Sequence, residues 1–187
     1  MKFCISLILI CLLYFGNTLT SIAEITISYP LERTVFQRDK NNSATFAISG
    51  NFTEPTDKVE IQLRALQGGH TSDWMTLQQN PQGGYYQGNI TWSGGWYELE
   101  VRGYFQNNHT GSAYLPRVGI GEVFIIAGQS NAQGLFGHGA VHTGDDRVNC
   151  VNEFNAIMSY SELSQPRFSH LDENSTIGPR GQSSWYW

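Results

Sequence analysis

The sequence lacks a pair of cysteines that could staple a secreted fold. Of its three cysteines, Cys4 and Cys11 lie near the N-terminus and Cys150 stands alone. Without an intrachain disulfide, the core must hold by packing. No basic residue pattern around Cys150 suggests thiolate activation, so it reads as a small buried apolar group and not as a nucleophile. Clustered positive charge is missing too. Eleven Lys and Arg stand against 16 Asp and Glu, for a net charge of −5, and the pI is near 5.4. That balance argues against a nucleic-acid surface. Metal-ligand spacing is absent. His138 and His142 are four apart, but Gly137 and Gly139 argue against the helix that would align them. Neither a metal nor another cofactor is expected. Beyond residue 23 no apolar run is long enough to cross a bilayer, so no transmembrane segment is expected in the mature chain.

The one long apolar run opens the chain. Lys2 supplies a positive charge, Ile5 to Phe15 is almost wholly apolar, and Ser21 and Ala23 stand three and one places before Glu24. A charged start, a short apolar core and a small-x-small site describe a secretory signal peptide over residues 1–23. Cys11 is not preceded by a small residue, which argues against a lipoprotein cut there. The mature chain is expected to be secreted, periplasmic or held at the cell surface.

Residues 24–118 carry an all-β signal. Period-two or β-branched runs recur at 25–29, 34–38, 44–48, 59–64, 74–77, 85–92 and 96–104, separated by turn signals such as Asp39 to Asn42, Gly68-Gly69 and Gly94-Gly95. About seven short strands parted by polar turns predict an immunoglobulin-like sandwich. Val59, Ile61 and Leu63 share one face of their strand, as do Tyr97, Leu99 and Val101. These two strands are expected to supply facing halves of the core. Trp92, Trp96, Tyr97, Tyr85 and Tyr86 admit two readings: a platform for sugar rings, or core and cross-strand pairs. The alternation favours the second. Five Asn-x-Ser/Thr triplets, at Asn41, Asn51, Asn89, Asn108 and Asn174, would accept glycans only in a eukaryotic secretory pathway.

From Gly119 the texture changes. Gly119 to Glu122 reads as a short hinge, and Val123 to Ala127 as a buried strand ending at Gly128-Gln129-Ser130-Asn131. A strand that ends in a tight turn lifts a serine clear of the sheet edge, where backbone N–H groups can meet an oxyanion. Ser130 is the candidate nucleophile. Gly128, Gln129 and Asn131 are candidates for oxyanion or substrate contacts, with turn bonding an equal alternative for Asn131.

Gly-Gln-Ser-Asn after an apolar strand resembles the first sequence block of the sialate O-acetylesterase-like branch of the SGNH hydrolases. The resemblance continues through Asp145-Asp146-Arg147-Val148 and Gly178-Pro179-Arg180-Gly181 and covers roughly residues 119 to 187. It implies an α/β, three-layer hydrolase domain that follows the sandwich and removes acetyl groups from sugars. The substrate partner would be an acetylated carbohydrate. It also implies a base and its acidic partner in an Asp-x-x-His segment, and that pattern does not occur here. His70, His109, His138, His142 and His170 read as surface or loop residues.

After the apolar strand come a glycine-rich stretch and a long segment of little periodicity. Ser183 or Ser184 could cap a helix starting at Trp185. Such pieces cannot make a core of their own, so residues 119–187 read as the first part of a longer hydrolase domain. Two other classes compete: a non-catalytic carbohydrate-binding or adhesive sandwich, and a structural spacer.

Overall fold

The computed structural model describes residues 24–125, 144–151 and 168–171. Eight strands fill the first stretch: β1 (Ile25–Tyr29), β2 (Val35–Gln37), β3 (Ser43–Phe52), β4 (Lys58–Gln67), β5 (Met75–Gln79), β6 (Tyr85–Ser93), β7 (Gly95–Phe105) and β8 (Asn108–Gly121). β9 (Asn149–Val151) and β10 (Phe168–His170) pair antiparallel as a separate short ladder. The described residues are all-β. The α/β layers expected beyond residue 118 have no counterpart among them.

The eight strands sort into two sheets, ordered β1-β3-β6 and β2-β8-β7-β4-β5. Alternate residues of each point into a shared core, as the pleat requires. The smaller sheet contributes Ile25, Phe46, Ile48, Tyr86 and Ile90; the larger contributes Val59, Ile61, Leu63, Tyr97, Leu99, Val101 and Val118. Phe36 of β2 stacks on Phe46 of β3 at 4.2 Å, joining the two sheets along one edge. The expectation that β4 and β7 face one another is corrected. They are hydrogen-bonded neighbours, with Ile61 opposite Val101 and Leu63 opposite Leu99. Period two reveals which side of a strand is buried but not which sheet the strand joins.

The corner between β6 and β7 is fixed by Tyr97. Its buried hydroxyl donates to the Ser93 carbonyl at 2.8 Å and lies 3.3 Å from the Gly94 carbonyl. A tyrosine at the start of a strand, bonded back across the corner, is the tyrosine corner of immunoglobulin-like sandwiches. Gly69 leaves room for it. Its φ is +65°, and a Cβ there would collide with the Tyr97 hydroxyl.

β8, the longest strand, is the one that the sequence did not announce. It pairs antiparallel with β7, and its last residues pair parallel with β2, Gly119 opposite Val35 and Gly121 opposite Gln37. Gly119 to Gly121 are therefore strand residues and not a hinge. The register slips between Leu99↔Leu115 and Tyr97↔Val118, so Pro116 and Arg117 form a bulge. Proline has no N–H to give a ladder and is tolerated at such irregularities.

Candidate functional site

Gly128, Gln129, Ser130 and Asn131 lie outside the described residues, as do His138 and His142. The approach to them is described. Beyond β8, Val123, Phe124 and Ile125 belong to no strand and are 49%, 80% and 91% exposed. The run read as a buried strand is thus unburied where it is described. An α/β strand is buried only when parallel neighbours and helices cover it, and none does so among the described residues.

The described segment 144–151 meets the sandwich at the bulge. Asp146 accepts from Arg33 Nη2 at 2.5 Å and from Arg117 Nε at 2.8 Å. Arg33 Nη1 also donates to the Asp146 carbonyl at 3.1 Å and to Asn149 Oδ1 at 2.8 Å. Partial burial pushes the Asp146 carboxyl up, but the two guanidiniums outweigh it and hold it at about 2. The neighbouring Asp145 is also held at about 2, chiefly by hydrogen bonds from the Arg147 guanidinium and backbone. His170 Nε2 lies 3.0 Å from the Asp145 carbonyl. Cys150 is half-buried, with its sulfur 3.5 Å from the Ser169 hydroxyl.

The outer face of the larger sheet carries a second cluster. The Arg102 guanidinium lies 3.3 Å from the Trp74 ring centroid and 5.3 Å from that of Tyr104. Lys58 Nζ sits over Tyr104 at 4.6 Å. Glu60 bridges the two cations, at 2.9 Å from Lys58 and 3.2 Å from Arg102. Burial raises the Glu60 carboxyl, yet Lys58 and Arg102 together hold it below its ordinary value. Cation–π stacking of this kind orders the face and occupies ring surface that a sugar would need.

Two serine–histidine contacts occur. Ser93 Oγ lies 3.3 Å from His70 Nδ1, and Ser112 Oγ lies 2.9 Å from His109 Nε2. Among the described residues no carboxylate bonds either ring, so neither histidine is oriented as a base must be. The Ser93 hydroxyl also lies 3.3 Å from the Tyr97 hydroxyl, at the corner. The first contact ties the loop before β5 to the end of β6, and the second lies within β8.

Trp96, Tyr97 and Tyr86 are core residues, while Trp92 packs half-buried against the core and is 4.6 Å from His70, ring to ring. Only Tyr85 of the five sequence candidates is exposed. The glycan-acceptor candidates Asn41, Asn51, Asn89 and Asn108 are all exposed. No helix among the described residues is long and apolar enough to cross a membrane. Nor does any group of His, Cys, Asp and Glu among them have metal-binding geometry.

Sequence reasoning noticed Asp145-Asp146-Arg147 only as part of a resemblance. It missed the partners Arg33 and Arg117, which are single cations far apart in the chain. The proline before Arg117, a strand breaker inside a strand, was the available signal.

No family model matches the chain, and no curated protein matches it. Among solved structures it is similar to the fibronectin(III)-like modules of Clostridium thermocellum CbhA. The identity is 19% and the TM-score 0.38, over 55% of this chain and 100% of that one.

Proposed function

We propose that the protein is a secreted or surface-held serine esterase that removes O-acetyl groups from sialic acid or other acetylated carbohydrates. Ser130 is its nucleophile and the sandwich its leading module. The observation that carries this reading is the apolar run Val123 to Ala127 ending at Gly128-Gln129-Ser130-Asn131. In the reaction, Ser130 Oγ attacks the acetyl carbonyl carbon as a base takes its proton, and turn N–H groups meet the oxyanion. Collapse breaks the bond to the sugar oxygen, which leaves with that proton. Water then attacks the acetyl-enzyme, releasing acetate and restoring the serine. Gly128, Gln129 and Asn131 are assigned to oxyanion or substrate contacts. The base implied by the resemblance, in an Asp-x-x-His segment, is not among these 187 residues. Alone, their Ser130 hydroxyl stays protonated and is a poor nucleophile.

The alternative reading is a non-catalytic carbohydrate-binding or adhesive sandwich, which would need a free row of aromatic rings. One face of Trp74 is taken by Arg102, and Tyr104 lies under Lys58. The exposed Tyr29 and Tyr85 lie on one sheet, on strands separated by β3, and Phe105 and Tyr114 lie on the other. The test is acetyl-ester turnover by the chain extended along its reading frame to an Asp-x-x-His segment. Ser130→Ala should lower turnover by several orders of magnitude with the fold unchanged; near-wild-type turnover would refute the assignment.

A further inference from the structure

The β2 edge of the sandwich is bonded to chain on both sides of residues 126–143. On the way out, Glu122 accepts from Gln37 Nε2 and Arg38 Nε, each at 2.8 Å, and the Val123 N–H donates to Gln37 Oε1 at 2.7 Å. On the way back, Asp146 is gripped by Arg33 and Arg117. The two grips flank the short parallel ladder between β2 and β8. One sits just before its first pair, the other at and beyond its last.

Arg33 is built for this contact in an unexpected way. Its φ is +65°, a left-handed conformation that glycine or asparagine adopts far more readily than a long side chain. The turn holds that conformation by hydrogen bonds from Arg33 N–H to the Arg117 carbonyl at 2.9 Å and from Thr34 N–H to the Leu31 carbonyl at 3.1 Å. The backbone strain is therefore accepted in favour of a guanidinium. The Arg33 side chain is only 15% exposed, and its guanidinium bonds Asp146 and Asn149. Arg117 is aimed at the same carboxylate by the bulge that Pro116 imposes, a usual way for a strand to redirect a side chain.

We propose that the β2 edge is an intramolecular docking surface whose occupant is the segment Gly144–Val151. Arg33 and Arg117 are its recognition residues, and Asp146 is the group they recognise. Returning the chain to this edge costs loop-closure entropy, which grows only slowly with loop length. Charge-assisted hydrogen bonds shared by one carboxylate and two guanidiniums are of the stronger kind and can offset it. The sandwich is then a base on which the following chain is seated, whatever chemistry that chain performs.

Hydrogen exchange on the 187-residue protein, read by mass spectrometry, separates docking from simple sandwich stability. Arg33→Gly relieves the backbone strain while deleting the guanidinium, and Asp146→Asn alters the occupant alone. Each should speed exchange at residues 144–151 at least tenfold and leave peptides of β3, β4 and β7 unchanged. Molar salt should do the same to the wild type. Exchange at 144–151 that is unprotected in the wild type, or unmoved by both variants, would overturn the proposal. So would loss of protection across the sandwich in Arg33→Gly, since Arg33 would then be holding the sandwich itself.

Discussion

At the scale of single residues, the sandwich depends on buried apolar side chains and on one polar corner. Ile61 is fully buried between Val101 and the opposite sheet. Ile61→Ala should lower stability by about 2–5 kcal/mol, from lost transfer energy and the cavity left behind. Tyr97→Phe keeps the ring but strips the Ser93 and Gly94 carbonyls of their donor. A buried acceptor left unpaired costs about 1–3 kcal/mol. Chemical denaturation should show both losses as lower midpoints with unchanged slopes. Gly69→Ala should destabilise for another reason, since alanine resists the positive φ and its Cβ meets the Tyr97 hydroxyl.

At the scale of elements, β8 decides where the sandwich ends. Residues Gly119 to Gly121 close the larger sheet by pairing with both β2 and β7. A chain of residues 24–122 should unfold cooperatively with a β-type circular dichroism spectrum. A chain of residues 24–118 should melt several degrees lower, having lost its parallel ladder. Equal melting temperatures would show that the ladder adds nothing. All seven runs read from the sequence became strands because their buried residues alternate or are β-branched. β8 stayed hidden because Gly111, Pro116, Gly119 and Gly121 interrupt its pattern and much of it is only half-buried. Its identity comes from its neighbours, β7 and β2, and no local propensity encodes that. The Arg33–Asp146–Arg117 contact was illegible for the same reason: three isolated charges meet only after the fold brings them together. The Gly-Gln-Ser-Asn run is the reverse case, a local pattern legible in sequence and lying outside the described residues.

At the scale of the whole molecule, electrostatics sets how the segment after the sandwich responds to pH. Asp146 falls from an ordinary 3.8 to about 2 in the fold. A depressed carboxylate stabilises the docked state above its unfolded value and stops doing so as pH falls through its folded value. Protection of residues 144–151, corrected for intrinsic exchange, should hold from neutrality to about pH 4 and disappear toward pH 2. The Asp146 side chain is about half exposed (48%), so salt should weaken the same contact.

The central claim, that Ser130 is an esterase nucleophile, is tested most directly by a fluorophosphonate probe with the adduct located by mass spectrometry. The chain extended to an Asp-x-x-His segment should be labelled stoichiometrically at Ser130, and Ser130→Ala should not be labelled. The 187 residues alone should label little, lacking that base. An extended, folded chain that leaves Ser130 unmodified would contradict the account.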